Sequence, residues 1–114
     1  MRFLNWLRTK MHLRRYDLKN TFEKDKITFE GGNGDSIDNA VVVKGAQFDL
    51  AGTTAEFAWV TKMYGRKDRD WYLLSHSHGR YGDREIDTIV IDIKNSAQQT
   101  IFFDISESFG KCHI

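Results

Sequence analysis

Between Glu85 and Lys94 apolar and polar residues alternate with a period of two. That spacing puts Asp87, Ile89, Ile91 and Ile93 on one side of a strand and Ile86, Thr88, Val90 and Asp92 on the other. Trp71 to His78 and Thr100 to Ile105 carry the same period, with Gly79 to Asp83 and Asn95 to Gln98 as the turns between them. Pairing Ile93 with Ile101, Ile91 with Phe103 and Ile89 with Ile105 makes one face of this three-stranded meander uniformly apolar. A one-residue slip would destroy the match. Upstream, Ile27 to Phe29 and the β-branched run Ala40 to Val43 read as two further strands around the glycine-rich turn Gly31 to Asp35.

The period changes to that of a helix over residues 53–64. Thr53 stands where an N-cap belongs and Glu56 three residues later completes a capping box. Ala55, Phe57, Ala58, Trp59, Val60, Met63 and Tyr64 supply a wide apolar surface, and Gly65 occupies the position of a C-terminal cap. The order strand, strand, helix, strand, strand, strand predicts an α+β domain over residues 20–114: a single antiparallel sheet of four to five strands with one main helix packed on a face. Trp59, Trp71, Tyr72, Phe102 and Phe103 are the expected aromatic core, with Phe102 and Val90 on the second sheet face as an alternative interface.

Residues 1–19 form a separate, basic arm. Phe3, Leu7, Met11 and Leu18 share one face at helical spacing, and Leu4 and Trp6 widen it, so the expectation is a basic amphipathic helix. Six basic residues against Asp17 give the arm +5, while the remaining 95 residues hold eleven basic and fifteen acidic groups, or −4. A helix of this length is marginal in water without packing. Phe3, Trp6, Leu7, Arg8, Met11, Arg14 and Arg15 are therefore read as binding residues, covered by the domain, by a second copy or protein partner, or by an anionic membrane surface. The acidic body opposes nucleic acid.

Composition bounds the rest. With 40% hydrophobic and 29% charged residues the chain is an ordinary globular one, and no apolar run approaches the ~18 residues of a membrane-spanning helix. Arg2, Arg8 and Lys10 break up any secretory signal. The single cysteine, Cys112, excludes an intramolecular disulfide and a multi-cysteine metal site, which sets a cytoplasmic location as the expectation.

Two clusters carry candidate chemistry. His76 and His78, two apart on a strand, project from one face, as metal ligands on a strand do. Asp87 or Glu85 on the neighbouring strand would supply a third ligand in one hairpin register. The plainer reading is two exposed polar residues near a hairpin tip. The same pair could serve as general acid and base beside Arg80 and Arg84. The turn Gly31 to Asp35 lacks the lysine and hydroxyl of a phosphate loop; Asn33, Asp35 and Asp38 could hold a weak calcium ion, but a plain glycine turn between strands is the favoured reading.

Gly34-Asp35-Ser36, Ala40 to Ala46, Glu56, Trp59, Tyr64-Gly65, Trp71, Phe103-Asp104-Ile105-Ser106 and Phe109-Gly110-Lys111 together resemble a small bacterial domain family of unassigned function, over roughly residues 27–111. The resemblance implies the fold and a bacterial cytoplasmic setting, and it carries over no functional residue. Because no constellation has catalytic spacing, the leading expectation is a small non-enzymatic protein-binding or assembly module that self-associates or takes a protein partner, without a cofactor. The alternative is a small metal- or histidine-dependent hydrolase using His76 and His78, with a divalent metal as its cofactor.

Overall fold

A helix placed between two strands sets the topology. In the computed structural model, which describes residues 27–111, the strands are β1 (Thr28–Gly31), β2 (Val41–Lys44), β3 (Trp71–Tyr81), β4 (Arg84–Ile93) and β5 (Gln98–Asp104), with helix α1 (Asp49–Tyr64) between β2 and β3. The arm and its binding residues, and Cys112, lie outside the described residues. All five strands form one sheet in the order β1-β2-β5-β4-β3.

The sheet is mixed, which corrects the expected all-antiparallel arrangement. β1 and β2, β3 and β4, and β4 and β5 pair antiparallel, but β2 pairs parallel to β5, Val41 opposite Phe103. The crossover through α1 returns the chain to the far edge as β3, running the same way as β2. Two hairpins then bring β5 back into the gap beside β2, and it arrives parallel. Among the described residues no helix is long and apolar enough to cross a membrane.

The apolar face survives a change of register. Ile89, not Ile93, lies opposite Ile101, and Asp87 lies opposite Phe103. Asn95, at φ 61°, and the hydrogen bond from Ser96 N to Ile93 O close the hairpin tightly, so Asp92 already faces Gln98. The offset is four residues, an even number, so every side chain keeps its expected face. Ile89, Ile91, Ile101 and Phe103 are fully buried beneath α1, joined by Val41, Val43, Ala55, Val60 and Trp71. The Trp59 ring meets Phe103 edge-on at 5.5 Å, and Trp71 Nε1 donates to Gly65 O at 2.7 Å, which satisfies its buried N–H at the helix end. Tyr72, expected in the core, is 41% exposed on the edge strand instead.

The helix begins four residues earlier than predicted, at Asp49. Phe48 stands at its N-cap and makes no capping hydrogen bond through its side chain. The C-terminal segment ties this end down: Asp49 N donates to Lys111 O at 2.9 Å, and Asp49 Oδ1 accepts from Gly110 N at 2.8 Å. Thr53 therefore lies inside the helix, and Glu56 has no capping role. Glu56 points into the sheet and is wholly buried.

Candidate functional site

One irregularity in β3 decides where the histidines go. Leu73 pairs with Ile91, but Ser75 pairs with Val90, so Leu74 is an extra residue that forms a β-bulge. The bulge inverts the alternation. Trp71 and Leu73 face the helix before it, and His76, His78 and Arg80 face the same side after it, opposite Ile89, Asp87 and Glu85. An unbroken strand would send the histidines to the opposite face from Trp71.

The helix contributes from the other side. Asp49, Gly52, Thr53 and Glu56 follow one another at helical spacing and share one face of α1. Asp49, Gly52 and Thr53, together with His76, Ser77, His78, Asp87, Ile105, Ser108 and Phe109, line a cleft of about 250 Å3 between the helix and the end of the sheet. Gly52 permits this close approach: a Cβ would stand 2.5 Å from Ser108 Oγ, so one of the two would have to shift.

At the cleft floor three carboxyl and two imidazole groups are linked. His78 Nδ1 lies 2.7 Å from Asp87 Oδ1 and its Nε2 lies 2.7 Å from Glu85 Oε1. Arg80 Nη1 donates to Glu85 Oε2 at 3.0 Å. His76 Nε2 is 3.4 Å from Asp87 Oδ2 and 3.2 Å from Glu56 Oε1. Asp87 thus presents one oxygen to each histidine. The Phe109 ring stacks on His78 at 4.3 Å, nearly parallel, and Phe57 meets His76 edge-on at 5.5 Å, so both rings are held from the side.

Burial separates the carboxyls electrostatically. Neither Glu56 oxygen receives an aligned hydrogen bond from a protein donor. Desolvation, then the hydrogen bond to Asp87 and its charge, push the Glu56 pKa up to about 11, so it is the neutral acid and donates to Asp87. Burial pushes Asp87 upward too, but hydrogen bonds with Glu56, His78 and His76, and the charge on His76, outweigh it and hold it below its ordinary value. Partial burial lowers the His78 pKa, while hydrogen bonds to Asp87 and Glu85 and their charges raise it further than burial lowers it.

The hairpin register therefore supplies both carboxylates that the sequence offered to His76 and His78. It engages Asp87 with both rings and Glu85 with His78 alone. Glu56 is the residue that sequence reasoning missed. Its signal was a lone acidic residue amid the apolar run Ala55 to Val60, which the capping-box pattern absorbed. The turn at Asn33 is internally satisfied: Asn33 Oδ1 accepts from Asp35 N and Asn39 Nδ2, and Asp35 Oδ1 accepts from the same amide. That engages Asn33 Oδ1 and Asp35 Oδ1, two of the oxygens considered for calcium.

No family model, curated protein or solved structure matches the chain, so the site stands on its own geometry.

Proposed function

We propose that the chain is a small hydrolase whose reacting centre is the cluster of His76, His78, Asp87 and Glu56 at the cleft floor. One observation carries this reading: two histidines on the wall of a cleft each turn a ring nitrogen onto the same buried carboxylate, Asp87, backed by a second buried carboxyl. Such an arrangement holds a proton acceptor in fixed orientation beside space for a substrate. A neutral Glu56 next to an ionised Asp87 adds an acid and a base at one pH, because their environments push the two apart. Thr53, Ser77 and Ser108 supply hydroxyls at the same wall. The test is turnover of a panel of carboxylic esters, amides and phosphodiesters by the wild-type chain, His76→Ala and Asp87→Asn. The expected result is activity on one class with at least a hundredfold loss in both variants. No turnover on any class, or unchanged turnover in both variants, removes the reading.

A second reading, a protein-binding or assembly module, is favoured by a different feature. β3 is an edge strand of 11 residues that exposes Tyr72, Leu74 and Tyr81. Proline is absent from the whole chain, and Arg80 alone in β3 carries a fixed charge. Open edges of this length pair with other strands unless blocked. Antiparallel pairing with β3 of a second copy would produce a dimer, visible by light scattering over a hundredfold range of concentration. A monomer throughout that range counts against it.

A further inference from the structure

We infer that Glu56, His76 and Asp87 form a three-ligand site for a zinc ion, open to the cleft. The hydrolase reading uses the same cluster, but this inference concerns binding and holds with or without turnover.

The three donor atoms, one from each side chain, lie within 4.8 Å of one another. Two of the separations are measured at His76 Nε2: 3.2 Å to Glu56 Oε1 and 3.4 Å to Asp87 Oδ2. Charge-assisted hydrogen bonds are shorter, about 2.7–2.9 Å. Zinc bonds of about 2.0–2.1 Å at a tetrahedral angle separate neighbouring donors by about 3.3 Å. His76 Nε2 is thus spaced from each carboxyl oxygen as along an edge of a zinc tetrahedron, and stands too far from both for a charge-assisted hydrogen bond.

Glu56 is the second, independent observation. Its side chain is 0% exposed, it is aimed at the other two, and neither oxygen has an aligned donor. A buried carboxylate nearly always finds a donor; once Glu56 gives up the proton it donates to Asp87, a cation among these three atoms takes the place that no protein donor fills. The surroundings suit ligands that must not rotate. His78 holds Asp87 Oδ1 at 2.7 Å and leaves Oδ2 toward the site, as carboxylates bound next to metal centres are commonly oriented. Phe57 fixes the His76 ring from its edge. Three protein ligands with a fourth position on a cleft is the arrangement that catalytic zinc sites use, whereas structural sites close all four.

His78 is outside this ligand set. Both its nitrogens are already within 2.7 Å of carboxylates, so it is a positioning residue for Asp87. The site therefore replaces the His76–His78 pair that the strand spacing suggested with one histidine and two carboxylates from three different elements.

The experiment uses the full chain, stripped with EDTA and titrated by calorimetry with zinc chloride alone, and in parallel with cobalt chloride followed by visible absorption. One equivalent of zinc is expected, together with the intense absorption of four-coordinate cobalt. Glu56→Gln and His76→Ala should each lose at least a hundredfold in affinity. His78→Ala should lose roughly ten- to a hundredfold, while His78→Gln, which keeps a donor to Asp87, recovers most of it. Circular dichroism checks that each variant folds, and Asp87→Asn serves as the second ligand variant should His76→Ala fail to fold. Absence of binding by the wild-type chain overturns the inference, and so does zinc binding that Glu56→Gln and Asp87→Asn leave unchanged. Zinc bound without turnover on any substrate class keeps this site and removes hydrolysis; turnover in EDTA without zinc binding does the reverse.

Discussion

Replacing Glu56 with glutamine should make the metal-free protein more stable. Glu56 has an ordinary pKa of 4.5 and is pushed up to about 11 in the fold, chiefly by burial. Between those values the unfolded chain releases the proton and the folded chain keeps it. The contribution of Glu56 to stability is therefore fully present below pH 4.5 and declines as pH rises toward 11. Each unit costs about 1.4 kcal/mol, so at pH 7 the penalty is of order 3 kcal/mol. Glutamine has the same shape and no proton to lose. Its amide can donate to Asp87, as the neutral carboxyl does, and its carbonyl faces His76. Urea denaturation in EDTA should show Glu56→Gln ahead by about 1–3 kcal/mol at pH 7.5, and by less than about 1 kcal/mol at pH 5. By melting point the gain at neutral pH is roughly 4–8 °C for each kcal/mol. Zinc at a hundred times its dissociation constant would restore about 2.7 kcal/mol to the wild type alone. A variant no more stable than wild type at pH 7.5, or an advantage equally large at pH 5, would refute the argument that Glu56 is held neutral by burial.

Three further perturbations test other parts of the structure. Deleting Leu74 removes the bulge, so either Trp71 and Leu73 or His76 and His78 must leave the helix-facing side; zinc binding should be lost, or the melting point should fall by more than 10 °C, a drop of about 2 kcal/mol or more. Gly52→Ala drives a Cβ against Ser108 Oγ and should cost about 1–3 kcal/mol by urea denaturation, with Ser108→Gly recovering part of it in the double variant. Asp104 is pushed up by partial burial, but hydrogen bonds to Ser106 and Arg84 and the Arg84 charge hold it below its ordinary value. Its contribution is therefore present above the unfolded value near pH 3.8 and is lost as pH falls through the lower folded one, so Asp104→Asn should flatten the acid limb of the stability profile measured between pH 5 and 2.

The parts of the fold that were legible in the sequence share a local cause. The alternation in Glu85 to Lys94 specifies a strand and its buried side without reference to anything distant, and an even-numbered error in register leaves both intact. The direction of β2 relative to β5 has no such local record. It follows from the crossover through α1, which places β3 at the far edge and leaves a gap for β5. The site divides along the same line. His76 and His78 were visible because two residues on one strand share a face by geometry alone, and Asp87 was visible as a member of the adjacent alternation. Glu56 depends on where a helix begins. With the start at Thr53 the residue sits three positions in and satisfies a cap; with the start at Asp49 it sits two turns in and has only the sheet to face. What moved the start is the tail, through Asp49, Gly110 and Lys111, contacts some sixty residues apart in sequence. The bulge at Leu74 is a second such dependence. The run Leu73-Leu74 reads as a lapse in alternation, and only the pairing of Leu73 with Ile91 and Ser75 with Val90 shows that the lapse turns two histidines to the helix-facing side, His76 beside the buried Glu56. The candidate site therefore exists because two departures from local pattern, one at a helix start and one within a strand, point at the same place.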